Sequence, residues 1–126
     1  MGFEADRHPG YTLEENYKKA LTELVMLFLL SEKDCHISEL TASIHARSHG
    51  VLTIMFPYGA IYRLEQSGYI RETGKRIAPD GRRRQYIEIT DSGRVYLRQL
   101  LETYRRISKG FADVLGEEGE NEYEEK

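Results

Sequence analysis

From Tyr11 onward, apolar residues recur three and four positions apart at Leu13, Tyr17, Leu21, Leu24 and Phe28, the repeat of an amphipathic helix. Thr12 is its candidate cap, with Glu15 three places further on. Between Leu24 and Leu30 the segment becomes apolar on all sides, so its C-terminal half is expected inside the core, each large side chain contributing about 1.5–3 kcal/mol. A polar break from Ser31 to Cys35 ends it. Ser38 then stands ahead of Leu40, Ile44 and Ala46, and Gly50 follows as a terminator, which predicts a short second helix. A third segment, from about Thr53 to Ser67, places Tyr58, Ile61 and Leu64 on one face, with Gly68 at the C′ position. Proline is tolerated in a first helical turn but not deeper, so the regular part begins close to Pro57. Two β-prone runs, Tyr69 to Arg76 and Arg83 to Ile89, are joined through the turn chemistry of Ala78-Pro79-Asp80-Gly81. Thr90 is a good cap for a final helix reaching about Leu115. Its apolar positions Leu97, Leu100, Leu101, Tyr104, Ile107, Phe111 and Leu115 make a stripe too long for one small domain to cover, so part of it is expected to meet a second copy.

The order helix, helix, helix, hairpin, helix, with a short connection between the second and third, is that of a winged helix-turn-helix. This is a mainly α fold with a small antiparallel β-hairpin, an N-terminal helix and a long C-terminal dimerisation helix. In that arrangement the third helix enters the DNA major groove, while the hairpin reaches over the phosphate backbone or into the minor groove. No repeat or linker divides the chain. The expected organisation is a flexible N-terminus over 1–10, the winged helix over 11–90, the dimerisation helix over 91–116 and an acidic, disordered tail over 117–126.

Composition narrows the function. The 126 residues are 40% hydrophobic and 31% charged, an ordinary globular balance. The single cysteine, Cys35, cannot form an intramolecular disulfide, as expected in a reducing cytoplasm. The longest apolar run, Leu24 to Leu30, is far short of the ~20 residues that span a bilayer, so no membrane partner is expected. The net charge of −3 conceals two opposed regions. From Glu117 to Lys126, six Glu and one Lys give −5, leaving +2 for the rest. Between Arg71 and Tyr86, six basic residues stand against two acidic ones, a local +4 that calls for an anionic partner.

Placed on the predicted elements, that charge identifies double-stranded DNA. Arg82, Arg83 and Arg84 at the hairpin tip are the best candidates for phosphate or minor-groove contact, against a solvated turn or pairing with Glu88 or Asp91. Strand alternation keeps the three from pointing the same way, and Lys75 and Arg76 join them from the opposing strand. With Ile61 and Leu64 in the core, Gly59, Tyr62, Arg63 and Gln66 fall on the outward arc of the third helix. Tyr62 and Arg63 can reach phosphates or base edges, small Gly59 and Ala60 allow close backbone approach, and Tyr58 is expected to be half-buried with its hydroxyl outward. Thr53 is a cap or a phosphate ligand. His45 and His49, four apart, lack accompanying carboxylates at ligand spacing, so no metal and no cofactor is expected. Cys35 has no second cysteine with which to act as a redox sensor, and no nucleophile-base pair or phosphate loop argues for an enzyme.

Two stretches also resemble a known family. Gly81 to Arg94, GRRRQYIEITDSGR, resembles the wing and the start of the last helix in the PadR-like transcriptional regulators. The pattern Tyr58-x-x-Ile61-x-x-Leu64-Glu65-x-x-Gly68-x-Ile70 is similar to their recognition helix running into the wing, and together the resemblance spans roughly Leu21 to Leu115. His36, Ile37, Ser38 and Glu39 replace the family's His-Gly-Tyr-Glu-like opening of the second helix, and Ile54 to Pro57 is less polar than its usual Ser-Pro-Gly-like approach to the third. The resemblance implies a phosphate contact through the Tyr58 hydroxyl. It also implies a homodimer in which the last helix packs on the partner's first, bringing Leu13 and Tyr17 together with Leu97, Leu101, Tyr104, Ile107, Phe111 and Leu115. Some members answer to small aromatic or drug-like effectors held at the dimer core. The leading expectation is a dimeric DNA-binding repressor. The alternative, a winged-helix protein-interaction module without DNA binding, rests on the acidic total charge and the apolar stretch from Val51 to Pro57. The acidic tail is expected to compete with DNA for the basic wing.

Overall fold

The computed structural model describes residues 8–117, so the expectations for most of the N-terminal arm and of the acidic tail lie outside the described residues. Helix α1 spans Tyr11–Glu32. It begins behind Gly10, whose carbonyl accepts the Glu14 N–H at 2.9 Å, and no side chain caps it; Thr12 lies within the first turn instead. Met26, Leu27 and Leu30 are fully buried, as the apolar run requires, whereas Phe28 keeps a solvent-facing edge beside the Arg47 guanidinium, 5.9 Å from its ring centroid.

The break after α1 contains an element that the pattern did not reveal. Strand β1, Cys35–His36, pairs antiparallel with a later strand, Cys35 opposite Ile87 and His36 opposite Tyr86. Two residues are too few to show an alternation. His36 also caps helix α2, Ile37–Arg47, its Nδ1 accepting the Glu39 N–H at 3.2 Å, so the helix begins ahead of Ser38. Helix α3 is Tyr58–Gln66, and the residues from Thr53 to Pro57 are not helical. Buried Pro57 sets the start, its carbonyl accepting the Ile61 N–H at 3.1 Å.

Strands β2, Ile70–Ile77, and β3, Arg83–Ile89, form the expected hairpin, and with β1 they make a three-stranded antiparallel sheet in the order β1-β3-β2. A bulge between Glu72 and Gly74 bends β2 and lets the Thr73 hydroxyl donate to the Tyr86 carbonyl at 3.3 Å. Helix α4, Asp91–Leu115, is capped by the Thr90 hydroxyl, which accepts the Gly93 N–H at 3.1 Å. Leu24, Leu27, Leu30, Leu40, Ile44, Ile61, Leu64, Ile70, Ile87, Ile89 and Leu97 form a single core where all four helices meet the sheet. Four helices and a small antiparallel sheet make the chain a winged helix-turn-helix with a long C-terminal helix, as the residue pattern predicted.

The end of α3 is fastened to the start of α4. Gly68, at φ +79°, terminates α3 in the left-handed region, where glycine alone is unstrained. Its carbonyl accepts the hydroxyls of Thr90 at 2.6 Å and Ser92 at 3.0 Å, while the Tyr69 carbonyl accepts the Thr90 N–H at 3.0 Å. Gly93 lies so close to this junction that a Cβ there would overlap the Tyr69 carbonyl oxygen and crowd Ile89.

Candidate nucleic-acid interface

The six basic residues of the hairpin do not act as one pool. Arg76 and Arg84 stand directly opposite one another on one face of the sheet, a like-charge juxtaposition that is unfavourable unless compensated. Each is turned onto the protein. Arg76 pairs with Asp34 at 3.0 Å and lies 3.8 Å from the Tyr86 ring centroid, a cation–π contact. Arg84 pairs with Asp80 at 2.6 Å and donates to the Ser38 hydroxyl at 3.1 Å, and its Nε is buried without a hydrogen-bond partner. Asp80 also accepts the Arg82 N–H at 3.0 Å, closing the turn. The Arg84 guanidinium, followed by that N–H, holds the Asp80 carboxyl below its ordinary range. Arg71 is likewise joined to Glu88 at 2.5 Å.

Three cations remain. Lys75, Arg82 and Arg83 are exposed, with no carboxylate partner among the described residues. The register sets Lys75 opposite Gln85 and Arg83 opposite Ile77, so Lys75 and Arg83 share the strand face that Arg76 and Arg84 do not use. The hairpin thus divides its cations into an internal brace and an unneutralised tip.

On α3, Ile61 and Leu64 are buried as expected, and so is Ala60, which removes it from the outward surface. Tyr58 is 67% exposed rather than half-buried, because the turn that starts at Pro57 puts its ring beyond the reach of the core. Tyr62 is exposed beside it. Arg63 is drawn back to α1, its Nε donating to Glu23 at 2.8 Å. Thr53 is exposed in the preceding loop, its hydroxyl 3.0 Å from His45 Nδ1. No group of His, Cys, Asp and Glu able to hold a metal occurs among the described residues. Burial pushes the Cys35 thiol up to about 11, so the sulfur is held as an unreactive thiol at neutral pH.

The residues expected at a dimer interface separate in the same way. Leu97 is 6% exposed and belongs to the chain's own core, since the first turns of α4 pack on α1 and the sheet; it has no surface to offer a partner. Leu101 packs against the same core from its edge. Beyond them α4 outruns the body, and Leu13 and Tyr17 of α1 with Tyr104, Ile107, Phe111 and Leu115 of α4 line an open groove of about 910 Å³. No helix among the described residues is long and apolar enough to cross a membrane.

Comparison with known proteins bears directly on this geometry. The sequence pattern of the transcriptional regulator PadR-like family matches residues 26–99, more than half of the chain. The chain belongs to the PadR-like family of transcriptional regulators. Among solved structures, a transcriptional regulator from Clostridium thermocellum is 26% identical, with a TM-score of 0.70 over 78% of this chain and 93% of that one. A PadR-like transcriptional regulator from Bacillus cereus is 20% identical, with a TM-score of 0.69 over 79% of this chain and 96% of the other. A PadR family transcription regulator from Clostridium difficile is 23% identical, with a TM-score of 0.63 over 75% and 98%. No curated protein sequence matches. Membership of the PadR-like family makes the chain a DNA-binding transcription regulator whose winged helix comprises α3 and the β2–β3 hairpin, its wing.

Two components of the site were not among the sequence candidates. Asp80 was visible at i,i+4 from Arg84, but Asp34 lies 42 positions from Arg76 and gives no local signal. Both acids decide which arginines remain outside.

Proposed function

We propose that this PadR-like regulator is a sequence-specific homodimer and acts as a repressor, occupying promoter DNA in competition with polymerase. The observation that carries the reading is the unneutralised trio Lys75, Arg82 and Arg83 on the wing that directly follows the recognition helix. In this reading the trio holds phosphates or a narrow minor groove, the exposed Tyr58, Tyr62 and Thr53 contact backbone or base edges, and Arg63 must exchange Glu23 for DNA. Arg76 and Arg84 set the angle of the wing instead of touching the duplex. The groove between α1 and the free end of α4 supports the dimer, because a contiguous apolar surface of this kind is costly to leave in water. The same groove is the place for any small apolar effector.

Two-fold symmetry in the protein requires an inverted repeat in its site, with half-sites a turn or a multiple of a turn apart. Selection of bound duplexes from a random library is therefore expected to enrich a palindrome. Enrichment of an asymmetric single site would contradict the dimeric reading, and no enrichment at all would contradict sequence-specific binding.

A further inference from the structure

The approach to the recognition helix is unusual for a surface that meets nucleic acid. Phe56 is 88% exposed and Met55 70% exposed, immediately ahead of Pro57, where α3 begins. Tyr58 and Tyr62 of the helix that follows are exposed as well. Apart from the Thr53, Tyr58 and Tyr62 hydroxyls, few polar groups stand free beside Met55 and Phe56: Gly59 carries no side chain, Arg63 is engaged by Glu23, and Gln66 is the last residue of the helix. In a helix-turn-helix the N-terminal residues of the recognition helix are those that reach base edges. Apolar side chains find one partner on the major-groove floor, the C5-methyl group of thymine.

We propose that Met55 and Phe56 are specificity-determining residues that read thymine methyl groups, giving this regulator a preference for thymine where the start of α3 enters the major groove. The inference rests on the DNA-binding reading above. Duplex DNA is the occupant favoured over a protein partner because the patch is continuous with α3, and α3 leads through Gly68 into a wing whose Lys75, Arg82 and Arg83 complement phosphate. Direct readout here is apolar contact in place of bidentate hydrogen bonding.

The test uses the full chain and a duplex enriched from the random library, resynthesised with deoxyuridine for every thymidine. This change removes the C5-methyl groups and keeps the base-pair hydrogen bonds. Wild-type protein is expected to bind the uridine duplex about fourfold more weakly for each methyl touched, the burial value of one methyl-sized group. The Met55→Ala/Phe56→Ala variant is expected to bind both duplexes alike, and its melting temperature should be unchanged because both side chains are exposed. Equal wild-type affinity for the two duplexes would overturn the proposal while leaving DNA binding intact. A variant that keeps the full thymidine preference would also overturn it, and would leave the patch to a protein partner. If no duplex is enriched, the sequence-specific reading falls and this inference falls with it. The wild-type comparison stands whether or not the variant folds.

Discussion

Gly93 shows how much of this molecule turns on single atoms. It stands where the end of α3 is tied to α4, and an added methyl group would press on the Tyr69 carbonyl, a backbone atom that cannot swing aside. Gly93→Ala is expected to destabilise the fold by about 1–3 kcal/mol, the usual cost of overpacking, read as a fall in thermal midpoint. Gly110, on the open part of α4, has nothing within reach of a Cβ; Gly110→Ala should be neutral or mildly stabilising. The capping part of this junction was legible in the sequence, since Thr90 and Gly93 sit at cap spacing. The clash was not, because it arises from a strand end more than twenty residues earlier. His36 makes the same point: nothing in its sequence neighbourhood marks it as a cap, yet it both pairs with β3 and accepts the Glu39 N–H.

The hairpin turn was readable because its chemistry is local. The division of labour among its arginines was not readable, since it depends on acids from other elements. The Asp80–Arg84 pair gives this division a pH signature. With its folded value depressed, the Asp80 carboxylate contributes stability in full above the ordinary carboxylate range and loses it as pH falls through the lowered value. Chemical shifts of Gly81 and Arg82 are therefore expected to change together only at strongly acidic pH, and Asp80→Asn should abolish that transition while disordering the turn at neutral pH. A turn equally ordered in the Asn variant would show that the pair does not hold the wing.

For the whole molecule, α4 serves two purposes along its length, core at Leu97 and open groove from Tyr104 onward. The helical period gave the stripe but could not say where the chain's own body stops covering it. If the groove is the dimer surface, Ile107→Glu with Phe111→Glu should yield a folded monomer by sedimentation, because both side chains are exposed within one chain. Leu97→Glu should instead unfold it. A double variant that still sedimented as a dimer would move the interface elsewhere. The monomer should also bind duplex more weakly, having one wing in place of two.

The central claim is that α3 and the cationic wing form one surface for duplex DNA, and the salt dependence of binding addresses it most directly. With about 4–8 phosphates neutralised by a dimer, log affinity should fall against log salt with a slope of roughly −4 to −7. Arg82→Ala with Arg83→Ala should make that slope shallower by about 1 for each phosphate left without its cation, whereas Arg76→Ala, which removes a brace, should change it far less. A flat isotherm in the wild-type protein, or a slope unaltered when Arg82 and Arg83 are replaced, would contradict the assignment of the wing to DNA.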